Sequence, residues 1–263
     1  MIISSPMSKF PKEGLSLLWN FQHGRCDLNG SVIQDMAPPK GWSTPTPLTA
    51  YSGATFAYDI DGFAKGISLD GLDDYFAFDG SDSRFDVSSD WKITEMHWFR
   101  SRSWGLDNPA TSPAFGQNGV VWSTASQALG LWFMDYSTGV YSNGIGLGKM
   151  VSVTWCRVIS DNDGEVFDKA ADGGGDVLDK WYCITWRNDY PSAAEGFIQG
   201  VPAINRTSTV INNWVQDASA RFGDGPDGHF EGEFGFFARW NRALSDEEIK
   251  LAFDATKGYF GVQ

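Results

Sequence analysis

The stretch that decides the fold is residues 229–262, HFEGEFGFFARWNRALSDEEIKLAFDATKGYFGV. Its first part is a run of aromatic residues at the spacing of a β-strand. Its second part begins like a helix, because Ser245 and Glu248 have the S-x-x-E spacing of a capping box. Leu244 before the cap and Ile249 inside the helix stand at the positions of a hydrophobic staple. The stretch therefore predicts a strand over 230–240 followed by a helix.

The predicted helix spans residues 246–257. Ile249, Ala252 and Phe253 follow one another at helical spacing and give the helix one apolar stripe. Gly258 stands where a left-handed residue ends many helices. A helix of about three turns is marginal alone in water. We therefore expect it to lie against the strand that precedes it.

Short segments with strand character recur along the chain at intervals of about 8–12 residues, with Gly and Asp at most breaks. They follow a first strand at 14–21, which we expect to pair with the last one, and they cover 54–58, 65–70, 75–78, 93–100, 120–123, 129–136, 150–159, 181–187, 196–199, 210–215, 220–223 and 230–240. This pattern is typical of a sandwich or barrel. The acidic, Gly-rich segment 160–180 is predicted to be a long loop.

Four pieces of the chain carry a resemblance, in this order: GISLDGLDDYFAF (66–78), WYCIT (181–185), GFIQGVP (196–202) and the C-terminal NRALS with ATKGYFG. Together they resemble the laminin-G-like or concanavalin-A-like jelly-roll family. The resemblance implies an all-β, concanavalin-A-like (LamG-like) jelly-roll β-sandwich with one short C-terminal helix. One departure concerns the last strand, where the family commonly has Ile-Asp-Glu and this chain has Phe234, Gly235 and Phe236.

Length and composition bound the function. A chain of 263 residues can form one all-β domain, which we place at 14–263. Twelve tryptophans and 15% aromatic residues predict a large aromatic core. The net charge of −13 repels phosphate backbones and anionic lipids, so we expect no binding to nucleic acid or membrane. No apolar run approaches the ~18 residues of a membrane span.

Cysteine usage and the N-terminus suggest where the protein works. The three cysteines, Cys26, Cys156 and Cys183, cannot form a complete disulfide framework. Buried free thiols are one interpretation, and a bond between Cys156 and Cys183 is the other. The first fourteen residues lack the apolar core of a secretory signal. We therefore expect the protein to be made in a cytoplasm.

Residues 1–13 are polar, with Pro6 and Pro11, which favours an extended N-terminal arm. The arm carries apolar side chains that cannot form a core of their own: Ile2, Ile3, Met7 and Phe10. We predict that these side chains anchor the chain on another subunit or virion protein. The alternative is that the arm folds back over its own sheet.

Three turns offer several oxygen ligands of the kind that Ca²⁺ prefers: 59–62, 70–74 and 161–164. None completes an EF-hand, and Asp residues in turns also serve simply to satisfy backbone donors. The family resemblance favours the turn at 70–74. It implies Asp70, Asp73 and Asp74 as possible Ca²⁺ ligands, and we expect no other cofactor.

Sugar binding is implied by the same resemblance, and it requires an exposed aromatic ring with polar groups nearby. Trp42 and Trp104 lie in loop-like contexts rich in Gly, Asn, Ser and Pro, so they are the candidate carbohydrate-binding residues. Glycoside hydrolases of the same fold carry a motif similar to E-x-D-x-x-E, which is not found here. Glu231 and Glu233 have a spacing loosely suited to a pair of catalytic carboxylates, but we interpret them as a solvated strand end and expect no enzyme. The three histidines have no partners at zinc-site spacing.

Three classes of function remain. The first is a structural or adhesive protein displayed on a bacteriophage particle as a capsid decoration, head spike or tail-fibre module. The others are a free lectin-like protein that binds carbohydrate, and a glycoside hydrolase. Jelly-roll modules that end in an NRALS helix and K-G-x-F-G resemble those of many phage virion proteins, which leave the cell by lysis. We therefore expect a virion protein whose partners are other virion proteins, further copies of itself or cell-surface glycans.

Overall fold

The structure, a computed structural model, describes residues 6–21, 32–33, 36, 47–58, 64–79, 92–102, 112–115, 127–135, 140–150, 153–160, 165–170, 179–189, 193–206, 219–225 and 228–263. Within these residues, no helix has the length and apolar character that crossing a membrane requires.

The described residues form mainly β-strands. The strands are β1 (Leu15–Asn20), β2 (Val32–Ile33), β3 (Leu48–Tyr51), β4 (Thr55–Tyr58), β5 (Ala64–Asp70), β6 (Tyr75–Asp79), β7 (Lys92–Ser101), β8 (Ser112–Phe115), β9 (Gln127–Asp135), β10 (Val140–Met150), β11 (Val153–Ser160), β12 (Glu165–Ala170), β13 (Trp181–Asp189), β14 (Ala193–Ile198), β15 (Val201–Arg206), β16 (Ser219–Phe222), β17 (Asp224–Gly225), β18 (Gly228–His229) and β19 (Glu231–Trp240). The helix α1 (Asp246–Thr256) follows β19, and short 3-10 helices cover Pro6–Lys9 and Lys257–Phe260. The prediction of a mostly β chain with a short C-terminal helix is confirmed.

Strand β19 lies at the centre of an eight-stranded sheet with the order β15-β14-β13-β7-β19-β5-β4. Its second half pairs with β1, so the expected pairing of the first strand with the last is confirmed. Its first half pairs with β5 on the same side, and β7 pairs along its other side. The remaining strands form the sheets β12-β11-β10-β9-β8 and β16-β6-β3-β2 and the ribbon β17-β18.

Aromatic rings join the eight-stranded sheet to the sheet that contains β6. The ring of Phe21 lies 5.4 Å from that of Phe76, and Phe76 lies 6.4 Å from Phe234 on β19. All three side chains are buried. Each buried aromatic side chain removes on the order of 150–250 Å² from water, so these rings stabilise the face-to-face packing of a β-sandwich.

Helix α1 covers the opposite face of the eight-stranded sheet. Its apolar stripe packs in one buried cluster with Trp98 of β7, and Ile249, Ala252 and Phe253 are all buried as predicted. The ring of Trp98 stacks with both Phe253, at 5.6 Å, and Phe260, at 4.4 Å. A helix of this length has little stability of its own, so its packing on the sheet is what stabilises it.

The capping box is present as the sequence predicts. Glu248 N donates to Ser245 Oγ at 3.2 Å, and Ser245 N donates to Glu248 Oε2 at 3.0 Å. The prediction that Gly258 ends the helix is wrong. Helix α1 ends at Thr256, the chain continues as a 3-10 helix, and the left-handed residue is Gly261, with φ of 70°. The extra turn places Phe260 in the core, which the shorter helix would not have done.

The N-terminal segment differs from the predicted extended arm. Residues 6–9 form a 3-10 helix, and Phe10 is only 4% exposed, with its ring 5.7 Å from Phe236 and 5.4 Å from Trp240. The Trp240 indole also donates to Pro11 O at 3.0 Å. Phe10 therefore fills the core of its own chain rather than anchoring a partner, because the two rings on β19 offer it a closed apolar site. For this residue the alternative, in which the arm folds back, holds.

Some predictions for the N-terminal arm and for the strands concern residues outside the described ranges. Ile2 and Ile3 lie outside the described residues, as do the predicted strands 120–123 and 210–215, and the side chain of Met7 is not described. The predicted loop at 160–180 contains strand β12, which pairs with β11. Strand β10 was not predicted, because alternating glycines hide its strand pattern.

Candidate functional site

Two turns cross between the layers at one end of the sandwich. Residues 52–54 join β3 to β4, and residues 71–74 join β5 to β6. Because β3 and β6 are antiparallel neighbours, Tyr51 lies directly opposite Tyr75. The start of β19 reaches the same end, where Glu231 is opposite Asp70. This end therefore collects side chains from β3, β5 and β6, and from β19, which is distant from them in sequence.

The two tyrosines form a stacked pair at this end. Their ring centroids are 5.0 Å apart and their planes differ by 8°. Tyr51 is 45% exposed, and Leu72 on the adjacent turn is 70% exposed. Strand β2 pairs with β3 only at Leu48 and Thr49, so no described strand lies beside Tyr51 on its other side. We call this region, formed by Tyr51, Tyr75, Leu72, Asp70 and Asp73, the tyrosine surface.

The three predicted carboxylates come together beside the tyrosine pair. Asp70, Asp73 and Asp74 each place an oxygen within 4.8 Å of the others. Asp70 and Asp73 are exposed, whereas Asp74 is buried. Asp70 Oδ1 accepts from Leu72 N at 2.8 Å, and Asp74 Oδ2 accepts from Asp70 N at 3.0 Å. Both interpretations offered by the sequence, turn stabilisation and a ligand cluster, therefore fit the same residues.

The chemistry of this turn suits a hard cation. Carboxylate oxygens are preferred ligands of Ca²⁺, and an ionised carboxylate keeps further lone pairs after accepting one backbone N–H. Asp70, Asp73 and Asp74 would supply three side-chain oxygens. Among the described residues, this is the one group of three or more acidic, histidine or cysteine side chains close enough to share an ion. The residues present therefore fit the predicted Ca²⁺.

Glu233 is not the solvated strand end that the sequence indicated. Its side chain is fully buried, Oε2 accepts from Arg100 Nε at 2.8 Å, and Oε1 accepts from Arg102 Nη2. Both carboxylate oxygens are thus bound to guanidinium groups. The sequence could not show this, because Arg100 and Arg102 are more than 130 residues away in the chain. A carboxylate held in this way has no oxygen open to a substrate.

Glu95, His97 and Arg239 are further charged or titratable groups that are buried among the described residues. Glu95 on β7 and Arg239 on β19 are direct neighbours across the ladder, and their side chains form a buried ion pair with Nη1 and Oε1 2.5 Å apart. Burial raises the pKa of Glu95, and Arg239 opposes this rise. Burial lowers the pKa of His97 to about 3, so its imidazole is neutral and packs against Phe237. These groups do not reach the surface.

Cys183 is a free, buried thiol whose pKa is raised by burial. The interpretation in which Cys183 pairs with Cys156 is therefore wrong. Cys183 belongs to the apolar cluster under helix α1, where it packs as a small apolar side chain.

The candidate sugar-binding residues Trp42 and Trp104 lie outside the described residues. The sequence analysis missed Tyr51 and Tyr75. Tyr75 stands in the LDGLDDY motif and Tyr51 precedes a Ser-Gly turn, so both positions carried a signal of a strand end beside a turn. What could not be inferred was that the two strands are neighbours.

No family model and no curated protein matches this sequence. Among solved structures, the chain is similar to a Trypanosoma rangeli sialidase in complex with sialic acid, with a TM-score of 0.60, 14% identity, and coverage of 94% of this chain and 33% of the sialidase. It is similar to a botulinum neurotoxin type C structure, from a study of cell entry that depends on two ganglioside molecules, with a TM-score of 0.57, 10% identity, and coverage of 93% of this chain and 52% of the toxin chain.

A third likeness is to the binding domain of botulinum neurotoxin DC in complex with rat synaptotagmin II, with a TM-score of 0.58, 10% identity, and coverage of 93% of this chain and 52% of that one. The chain thus spans about a third of the sialidase and about half of the toxin chains. At these identities the likeness concerns the fold alone, so the comparisons show that this chain has a β-sandwich fold like that found in these sialidase and neurotoxin chains.

Proposed function

We propose that this chain is a non-enzymatic adhesive module that binds carbohydrate and is displayed on a bacteriophage particle. The observation that carries the carbohydrate-binding part is the stacked pair of Tyr51 and Tyr75 at the end of the sandwich. The fold likeness to domains from sugar-binding proteins supports it. The resemblance of the C-terminal NRALS helix to phage modules supports the virion part.

The tyrosine surface has the two kinds of group that sugar recognition needs. One face of a pyranose ring presents C–H groups, which would pack on the outer face of Tyr51 while Tyr75 holds that ring from the other side. The hydroxyl groups at the rim of the sugar are donors, and the exposed carboxylates of Asp70 and Asp73 are acceptors. A Ca²⁺ ion at the acidic turn, if bound, would supply further coordination for hydroxyl oxygens.

The non-enzymatic part of the proposal rests on the surroundings of Glu233. Most glycoside hydrolases use two carboxyl groups that flank the scissile bond. Glu233 is buried beneath Arg100 and Arg102, so the pair Glu231 and Glu233 does not offer two accessible groups. We expect no release of sugar from any glycan that the chain binds.

A glycan array tests the proposed site. The wild-type chain is expected to bind a defined set of glycans, and Tyr51→Ala is expected to weaken that binding by up to about tenfold, since stacking on one aromatic ring contributes on the order of 0.5–1.5 kcal/mol. Tyr259→Ala is the matched control, because Tyr259 is also a partly exposed tyrosine but lies beyond helix α1.

The same array tests whether sugar binds at the tyrosine surface or at the tryptophans Trp42 and Trp104. Trp42→Ala and Trp104→Ala test the tryptophans that the sequence indicated. Loss of binding in either variant, together with normal binding by Tyr51→Ala, would show that the tyrosine surface is not the sugar-binding site. Mass spectrometry of purified particles checks the virion part, and repeated failure to find the chain in particles would contradict it.

A further inference from the structure

The charge of the tyrosine surface limits which sugars it accepts. Asp70 and Asp73 are exposed, and among the described residues neither forms an ion pair with a lysine or arginine. Asp74 adds a third carboxylate within 4.8 Å. A ligand that packs on Tyr51 would therefore lie near the negative charges of these carboxylates.

The two arginines that the structure describes at this end bind a carboxylate outside the acidic turn. Arg100 and Arg102 enter from the end of β7, but both bind the carboxylate of Glu233. The chain as a whole carries a net charge of −13, so the wider field has the same sign as the turn.

We propose that the tyrosine surface selects uncharged or amino sugars and rejects sugars that carry a carboxylate, such as sialic acid and uronic acids. The inference rests on the proposed carbohydrate binding and names the ligand class of that site. Like charges that approach within a few ångströms repel, and the repulsion extends over a Debye length of about 8 Å at physiological salt.

The test is an array of matched glycan pairs, each a neutral oligosaccharide and the same oligosaccharide with a terminal sialic acid or glucuronic acid. Binding is measured in a buffer that contains a chelator, so that the side chains alone set the charge. The wild-type chain is expected to bind the neutral member of each recognised pair about fivefold more tightly, an effect of the size expected for two exposed charges. Raising the salt to about 1 M, where the Debye length is about 3 Å, is expected to shrink the difference.

Two variants connect the preference to the turn. Asp73→Asn removes one negative charge from the tyrosine surface and is expected to narrow the fivefold difference to about twofold. Asp254→Asn on helix α1 removes the same charge away from this end and is expected to leave the difference unchanged. Melting temperatures of both variants check that the fold is intact.

The outcomes separate this inference from the function on which it rests. Equal or tighter binding of the acidic glycans by the wild-type chain overturns the inference and leaves carbohydrate binding standing. A neutral preference that keeps its full size in Asp73→Asn also overturns it, because the turn would not be its cause. If no pair is bound and Tyr51→Ala changes nothing, both the proposed function and the inference fail.

Discussion

The indole of Trp98 donates a hydrogen bond from Nε1 to Oγ1 of Thr256, over 2.8 Å, in the buried contact between strand β7 and the end of helix α1. The same hydroxyl lies 2.9 Å from Ala252 O, within its own helix. Trp98 also stacks on Phe253 and Phe260. One tryptophan thus joins the central sheet to the helix by a polar contact and by two ring contacts.

Replacing Thr256 by Val is expected to lower the free energy of unfolding by about 1–3 kcal/mol, because a buried indole N–H loses its acceptor while the volume of the side chain stays similar. Denaturant unfolding measures the change. Thr256→Ser, which keeps the hydroxyl, is expected to cost less. If the serine variant is the less stable of the two, the lost methyl group rather than the hydrogen bond is the cause.

The packing around Gly235 on β19 leaves no room for a side chain. A Cβ atom at this position would collide with the ring of Phe260 and lie 2.9 Å from Trp181 Cζ3. Gly235→Ala is therefore expected to cost about 1–3 kcal/mol through overpacking, measured by thermal unfolding. Gly258→Ala is the control, because nothing lies within 4 Å of its added methyl group. Equal melting temperatures for the two variants would contradict this packing.

The pH dependence of stability should show the ion pair at the helix cap. Arg242 donates to both oxygens of Glu248, at 2.8 and 2.5 Å, and chiefly this bonding lowers the pKa of Glu248 to about 2 from its usual 4.5. Because the folded-state pKa is the lower one, the stabilisation is complete above about pH 4.5 and is lost as the pH falls towards 2. For a partly exposed pair we expect about 1 kcal/mol.

Glu248→Gln separates this contribution from other titrating groups, because Gln keeps the capping-box acceptor but has no charge. The difference in unfolding free energy between the wild-type chain and this variant is expected to be largest near neutral pH and to vanish near pH 2. A difference that stays constant across this window would show that the charge on Glu248 does not contribute.

The position of Phe10 predicts a stability effect within a single chain. Phe10→Ala removes a buried ring that packs on Phe236 and Trp240, so it is expected to cost about 3–5 kcal/mol. The melting temperature should fall to the same extent at low and high protein concentration. A chain with an unchanged melting temperature that no longer assembles with its partners would instead support anchoring by Phe10. Deleting residues 1–5 tests the same role for Ile2 and Ile3.

The acidic turn predicts a response to calcium. If Asp70, Asp73 and Asp74 hold Ca²⁺, adding the ion at about 100 times its dissociation constant should stabilise the chain by about 2.7 kcal/mol, and a chelator should reverse the effect. Asp73→Asn should reduce the response, whereas Asp254→Asn should not. Calorimetric scans without any calcium-dependent shift would leave turn stabilisation as the role of these aspartates.

Local sequence patterns were sufficient to predict the features that depend on residues close together in the chain. The capping box of Ser245 and Glu248, the buried stripe of Ile249, Ala252 and Phe253, and the meeting of the aspartates in the 70–74 turn all follow from spacings of a few residues. Residue spacing within one turn or one helix sets which side chains can share a hydrogen bond or one face, so local patterns are sufficient to predict these features. Packing on Trp98 of the sheet then buries the apolar stripe.

The local sequence does not show which strands lie side by side in the tertiary structure. That arrangement brings the residues of the candidate site together. Tyr51 and Tyr75 stack because β3 lies beside β6, and Arg100 reaches Glu233 because β7 lies beside β19. The order of strands in a sheet is set by burial of both faces over the whole sandwich, which no local pattern encodes. The same competition for buried surface brought Phe10 into the core, and Phe260 reaches the core on the 3-10 helix that follows α1.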